Sequence, residues 1–104
     1  MNIINRRDKN GRVPIHGAAS LGHVQTCRIL LEKGLFPDEV DNLLQTPLHL
    51  ASSNGQTKCA ALLIDNGANV NAIDENEKTP LILAAGNTKN YLFIQLNYYN
   101  YSEL

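Results

Sequence analysis

The segment 46-TPLHLASSNG-55 decides the fold of this chain. Its threonine stands where a hydroxyl can accept a hydrogen bond from the free N–H groups of a helix start. The proline after it falls at the first helical position, where the missing N–H costs nothing, and the final glycine tolerates the left-handed conformation that ends many helices. The segment therefore predicts a short helix from Pro47 to about Ser53, ended by Asn54-Gly55.

A second helix is expected soon after the first. Residues 57 to 65 carry apolar side chains such as Leu62 and Leu63, and 66-NG-67 follows as another helix stop. The stretch 69–78 is rich in Asn, Asp and Glu and predicts an extended turn. Because helices of about two turns are marginal alone, they must pack against each other and against neighbouring units.

The same pattern recurs along the chain with a period of 33 residues. An aspartate opens each unit at positions 8, 41 and 74, and five residues later come 13-VPIH-16, 46-TPLH-49 and 79-TPLI-82. A fixed period of this length is the signature of a repeat stack, in which each unit contacts mainly its neighbours. Small residues keep the same frame: Ala18, Ala51 and Ala84, Gly22 and Gly55, and Gly34 and Gly67.

Taken together, these motifs resemble the ankyrin repeat family. The resemblance rests on Asp41, 46-TPLHLA-51, Gly55, 62-LL-63 and 66-NGANVNA-72, and it covers roughly residues 3 to 85. It implies an all-α repeat solenoid, a helix–turn–helix–hairpin stack of about three repeats without clear terminal caps. We expect a single domain over residues 1–104, with repeats at about 8–40, 41–73 and 74–98 and a tail at 99–104.

Several positions in the first two repeats and the third hairpin depart from the family pattern. Val13 replaces the capping threonine, which should weaken the start of the first helix. Leu44 and Glu77 stand where the first repeat has Gly11. The segment 36-FPDE-39 replaces a small-residue hairpin, so we expect an irregular first linker.

The third repeat and the two ends of the sequence also depart from the pattern. Ile82 replaces the histidine, and Thr88 replaces the glycine between the helices. At the other end, 4-IN-5 aligns with 70-VN-71, so the sequence starts inside a hairpin. Residues 91–104 are either a divergent capping helix or sequence from a longer array, and both alternatives stay open.

Composition and charge exclude several classes of function. The net charge is −1, with nine basic and ten acidic side chains, which argues against binding nucleic acid through the whole surface. No apolar run approaches the roughly 20 residues that span a bilayer, so we expect no direct membrane insertion by this segment. Two cysteines make no disulfide framework and favour a reduced, cytoplasmic setting. A nuclear location is compatible with the same observation. Membrane association is expected only if this sequence is part of a channel protein.

Candidate chemical groups are better explained as parts of the fold. The resemblance implies that His16 and His49 hydrogen-bond the turns and tie adjacent repeats together. Cys27 and Cys59 fall at apolar helix positions, where a buried cysteine acts as a small hydrophobe. Because no metal-ligand spacing, phosphate loop or catalytic constellation is present, we expect no enzyme activity, no metal and no cofactor.

The resemblance places a protein-binding surface on the hairpin tips and the first helices. Leu43 and Leu44 are unusual there, because two leucines at a tip either form an exposed interaction site or pack between neighbouring tips. A basic-to-acidic progression along the tips suggests a partner of complementary charge, with ordinary solubility as the alternative. The partner-facing positions are Arg7, Lys9, Asn10, Arg12, Ser20, Leu21, Asn42, Leu43, Leu44, Gln45, Ser53, Asn54, Glu75, Asn76, Lys78 and Asn87.

One modification is also implied by the resemblance. Asn71 matches the asparagine that oxygen-dependent hydroxylases modify in ankyrin repeats, the alternative being a turn asparagine that bonds its own backbone.

The leading function is a scaffold module that binds another protein. The motifs 14-PIH-16 with Cys27, and the stretch 73–84, are also similar to repeats of ankyrin-type transient receptor potential cation channels. A fragment of such a channel's cytosolic domain is therefore one alternative, and a signalling or transcriptional regulator is another. The unadapted ends predict marginal stability and self-association.

Overall fold

The computed structural model describes residues 5–86, which contain five α-helices. They are α1 (Pro14–Leu21), α2 (Val24–Glu32), α3 (Pro47–Ser53), α4 (Thr57–Asp65) and α5 (Pro80–Ala85). The bounds predicted for both helices of the second repeat, now α3 and α4, are confirmed. Asn87, Thr88 and the stretch 91–104 lie outside the described residues, as do residues 1–4.

The helices form two rows. α1, α3 and α5 pack side by side in one row, while α2 and α4 pack against each other and against their own partners in the first row. The core between the rows is continuous from repeat to repeat. Small residues at the helix contacts let the backbones approach closely, among them Ala19, Ala51, Ala60 and Ala84, all fully buried.

The helix starts of the first row follow from the Thr-Pro dipeptide. Thr46 Oγ1 accepts from His49 N at 3.2 Å, and Thr79 Oγ1 accepts from Ile82 N at 3.2 Å. Val13 offers no such acceptor, yet α1 still begins at Pro14 in the same register. Pro14 still occupies the first helical position, and burial of the repeat's apolar face supports the helix without the cap, since tertiary packing supplies most helical stability in proteins.

Two turn positions carry backbone strain. Gly11 has φ +75°, a conformation that glycine adopts freely. Leu44 and Glu77, one and two periods later, are held at φ +59° and +60°, which is unfavourable for residues with a Cβ. All three turns therefore have a positive φ at the same position of the repeat, and in two of them the residue there is not glycine.

The prediction of an irregular first linker is wrong, because this linker shows the same turn pattern as the second one. Residues 33–34 and 37–38 form turns, and so do residues 66–67 and 70–71 one period later. Asp38 accepts from the backbone N–H of Asn69 in the next repeat at 3.1 Å with each carboxylate oxygen. Within residues 5–86, no helix is long and apolar enough to cross a membrane.

Candidate protein-interaction surface

Three turns project from the helical stack, and we call residues 8–12, 41–45 and 74–78 the first, second and third fingers. In each, the aspartate that opens the repeat folds its own turn. Asp41 Oδ1 accepts from the backbone N–H groups of Leu43 at 2.9 Å and Gln45 at 2.8 Å. Asp74 does the same for Asn76 and Lys78, at 2.9 Å each. The recurring aspartate is thus a turn-forming residue.

The first finger is built in the same way. Asp8 Oδ1 accepts from the backbone N–H of Asn10 at 2.8 Å and of Arg12 at 3.0 Å. The hydrogen bond from Arg12 is the main cause that lowers the pKa of the Asp8 carboxyl below its usual 3.8. The charged form of this aspartate is therefore part of the folded turn.

Backbone hydrogen bonds join the fingers into one ribbon. Asn42 N donates to Asn10 O at 2.9 Å, and Glu75 N donates to Leu43 O at 3.0 Å. The Asn42 side chain adds a bond to Lys9 O at 3.2 Å. Neighbouring tips are therefore held at fixed spacing, which makes them a preformed surface.

The two histidines fasten the ribbon to the helices beneath it. His16 Nε2 donates to Gln45 O at 3.0 Å, while His16 Nδ1 accepts from Val13 N at 3.1 Å. Since a carbonyl only accepts and a backbone N–H only donates, the ring is the neutral Nε2–H tautomer. Burial lowers the pKa of His16 below 6.5. The structural role that the resemblance implied for this histidine is confirmed.

His49 repeats that arrangement in the next unit. Its Nε2 donates to Lys78 O at 2.8 Å, and its Nδ1 accepts from Thr46 N at 3.0 Å. Ile82 occupies the same position in the third repeat and is half exposed. The pair of hydrogen bonds that His16 and His49 make is therefore absent at position 82.

Two of the predicted partner-binding cations are engaged within the chain. Arg7 forms an ion pair with Glu39 and donates to Gly11 O and Val40 O, the last two at 2.6 and 2.8 Å. Arg12 Nε pairs with the buried carboxylate of Asp41 at 3.2 Å. Both arginines link the first repeat to the second, so their charge is largely neutralised where they lie.

In the row of α1, α3 and α5, which we call the inner helices, the predicted residues Ser20 and Asn54 contact each other. Asn54 Nδ2 donates to Ser20 O at 3.0 Å and to Ser20 Oγ at 2.8 Å. Gln56 Nε2 also donates to Ser20 O at 3.1 Å. Sequence reasoning missed Gln56, whose only signal is its place beside the recurring glycine. Leu21 adjoins this cluster and is mostly exposed.

The second finger exposes apolar surface. The exposed fractions of Leu43 and Leu44 are 47% and 49%, and that of Ile73, directly before the third finger, is 57%. This exposure favours an exposed interaction site over packing of the two leucines between neighbouring tips. Sequence reasoning missed Ile73, although its place next to Asp74 was a usable signal. We call Leu43, Leu44 and Ile73 the apolar tip patch.

Carboxylates lie beside this patch. Glu75 and Glu77 are exposed, and neither forms an ion pair with any of residues 5–86. Asp74 is buried and likewise has no cationic partner in that range, whereas Asp41 has Arg12. The acidic end of the predicted charge progression is therefore uncompensated in the part of the chain that the structure describes.

The other predicted surface positions are accessible to different degrees. Gln45, the last residue of the second finger, is half-buried, and its carbonyl accepts from His16. Asn71 is exposed, and its backbone N–H donates to Asn69 Oδ1 at 2.9 Å, so in this bond the side chain that closes the turn is that of Asn69. The hydroxylation of Asn71 stays a prediction. Lys9, Asn10, Asn42, Ser53, Asn76 and Lys78 are exposed.

The cysteines are buried and belong to the core. Burial raises the pKa of the Cys27 thiol to about 12 and also raises that of Cys59. Cys59 Sγ donates weakly to Ala18 O at 3.9 Å. A protonated, buried thiol is a poor nucleophile. Residues 5–86 contain no cluster of three or more His, Cys, Asp or Glu that could hold a metal ion.

Comparison with known proteins identifies the repeat. A family model of ankyrin repeats, in three copies, matches residues 1–74 and again residues 35–97. The two matches together span almost the whole sequence and include all three fingers. None of the curated proteins matches the chain.

Proposed function

The chain belongs to the ankyrin repeat family, and from that premise we propose that it binds a partner protein with its fingers and the exposed ends of its inner helices. Ankyrin repeats are generally non-enzymatic protein–protein interaction modules. The binding residues that we propose are the partner-facing positions named above together with Ile73 and Gln56. The channel and regulator alternatives stay predictions, since no contact described above favours either of them.

The apolar tip patch is the observation that carries this proposal. About half of each leucine side chain meets solvent at the end of a polar turn, where neither supports the core. Leu44 is in addition held in a left-handed conformation that costs on the order of 1 kcal/mol. Exposed apolar groups ringed by polar ones, on a strained backbone, are typical of binding sites.

Rigidity of the fingers supports the same conclusion. Each turn is closed by its aspartate, neighbouring turns are joined through their backbones, and His16 and His49 fasten the second and third fingers to the helices. A surface that is ordered before binding loses little entropy when it binds. The fingers therefore present their side chains at fixed spacing to a partner.

Site-specific photo-cross-linking tests the proposal. A benzophenone amino acid is placed at Leu43 in one variant and at Ile29 in a matched control. Ile29 lies on α2 and has an exposed fraction of 50%, close to the 47% of Leu43. We expect discrete cross-linked adducts from position 43 and few from position 29. Equal yields from both positions, or adducts from position 29 alone, would contradict the proposal.

A further inference from the structure

We infer that the partner segment carries an apolar side chain two residues away from a lysine or arginine, and that it binds across the second and third fingers. This inference rests on the proposed function and specifies the partner's chemistry. The apolar side chain contacts the apolar tip patch of Leu43, Leu44 and Ile73. The cation faces Glu75 and Glu77.

The apolar and acidic groups adjoin each other in the ribbon. Glu75 N donates to Leu43 O at 3.0 Å, so these two residues are direct neighbours across the second and third fingers. Ile73 is two residues before Glu75 in the same chain segment. A short extended peptide can therefore contact the patch and a carboxylate at the same time, because side chains two residues apart in an extended chain lie on the same face, about 7 Å from each other.

The charge balance along the ribbon selects a basic partner over an acidic one. In the first two fingers, Lys9 and Arg12 offset Asp8 and Asp41, so no net charge remains. The third finger has three carboxylates, Asp74, Glu75 and Glu77, against the single cation Lys78, which leaves a formal charge of −2. Surface potential of this kind steers a complementary partner and fixes its orientation.

Burial of Asp74 strengthens that potential. Asp74 is 5% exposed, and within residues 5–86 its carboxylate accepts from backbone N–H groups without an ion-pair partner, whereas Asp41 is paired with Arg12. The residue that would correspond to Arg12 in the second repeat is Gln45, which carries no charge. Among the described residues the third finger thus lacks the cation that pairs with Asp41 in its predecessor, so its negative potential stays available to a partner's cation at Glu75 and Glu77.

Backbone strain separates a binding role from a structural one. Leu44 and Glu77 occupy left-handed positions that Gly11 occupies without strain. Replacing either with glycine relieves the strain and removes a side chain from the proposed contact. A binding role predicts that such variants melt at higher temperature yet bind less tightly, whereas a structural role predicts a lower melting temperature.

Selection from a library of short random peptides, displayed and panned against the full chain, tests the inference. We expect recovered peptides to be enriched in an apolar residue two positions away from Lys or Arg. Their affinity should fall by roughly tenfold in Leu44→Gly and in Glu75→Gln/Glu77→Gln, and high salt should weaken binding to the unsubstituted chain more than to the Gln variant.

The outcomes distinguish this inference from the proposed function. Peptides that depend on Leu44 but carry acidic residues or no charge would overturn the inference and leave the proposed function standing. Peptides whose affinity is unchanged in Leu44→Gly and in Glu75→Gln/Glu77→Gln, or a library that yields no binder, would overturn both. Basic peptides that bind the Glu75→Gln/Glu77→Gln variant equally well would show general attraction and would also overturn the inference.

Discussion

The His49 ring connects Thr46 to Lys78: its Nδ1 accepts from Thr46 N at 3.0 Å, and its Nε2 donates to Lys78 O at 2.8 Å. One side chain thereby joins the start of α3 to the base of the third finger. His16 makes the corresponding connection one period earlier, from Val13 to Gln45. These two histidines consequently tie the fingers to the helices across both repeat boundaries.

Removing this connection should destabilise the chain. His49→Leu leaves the buried N–H of Thr46 without an acceptor, and we expect the free energy of unfolding to fall by about 2 kcal/mol. Urea denaturation with an unchanged m-value measures the loss. Ile82→Leu is the matched control, because that position is half exposed and should change stability by less than about 0.5 kcal/mol. Equal losses in the two variants would refute the role assigned to His49.

Stability should depend on pH through His16. Because burial lowers the pKa of His16 in the folded chain, the unfolded chain takes up a proton first as the pH falls. The stabilisation is therefore complete above pH 6.5, the ordinary histidine value, and is lost as the pH falls below it. Urea midpoints measured above and below pH 6.5 check this sign. The pH slope should be smaller in His16→Gln; a slope that is the same in both chains would contradict the prediction.

Ser52 offers a stabilising substitution. Its hydroxyl is fully buried and has no hydrogen-bond partner within the described structure, so it was desolvated without compensation. We expect Ser52→Ala to raise the free energy of unfolding by about 1 kcal/mol. Ser53→Ala, one residue later on the same helix but exposed, controls for the helix propensity that both changes share. If both variants gain equally, the buried hydroxyl is not the cause.

Relief of backbone strain should stabilise the second finger. Leu44→Gly replaces a side chain held at φ +59° with a residue that adopts this conformation freely. We expect a gain of about 1 kcal/mol in the free energy of unfolding, measured by thermal and urea denaturation. Gly11→Ala is the reciprocal control. Gly11 has φ +75°, and a Cβ added there would clash with the Asn42 side chain, so this variant should be less stable. A loss of stability in Leu44→Gly would show that its side chain supports the fold.

The cysteines should be unreactive while the chain is folded. Burial raises the pKa of Cys27 to about 12, and neither thiol is exposed, so almost no thiolate is available near neutral pH. A colorimetric disulfide reagent should label both thiols only in denaturant, where they become accessible. Rapid labelling of the native chain would indicate that the core around α2 and α4 opens readily.

Local sequence rules predicted the repeat frame well because each rule acts within a few residues. The Thr-Pro start and the glycine stop fixed the bounds of α3, and the 33-residue period placed the turns at Leu44 and Glu77 on the path of Gly11. The burial of the cysteines followed from the same periodicity.

The surface was harder to predict, since its contacts join residues about one repeat apart through side chains that vary. Nothing local indicates that Arg7 pairs with Glu39 or that Asn54 bonds Ser20. These contacts depend on how two repeats stack. The exposure of Ile73 depends on the same stacking, and it was therefore missed.

Amide hydrogen exchange of the free chain and of its complex with the cross-linked partner tests the central claim most directly. We predict slower exchange on binding at residues 42–45 and 73–78, the second finger with the apolar tip patch and the third finger. Exchange along α2 should change little. Protection confined to α2 and α4, with exchange at the fingers unaltered, would contradict the assignment of the fingers as the binding surface.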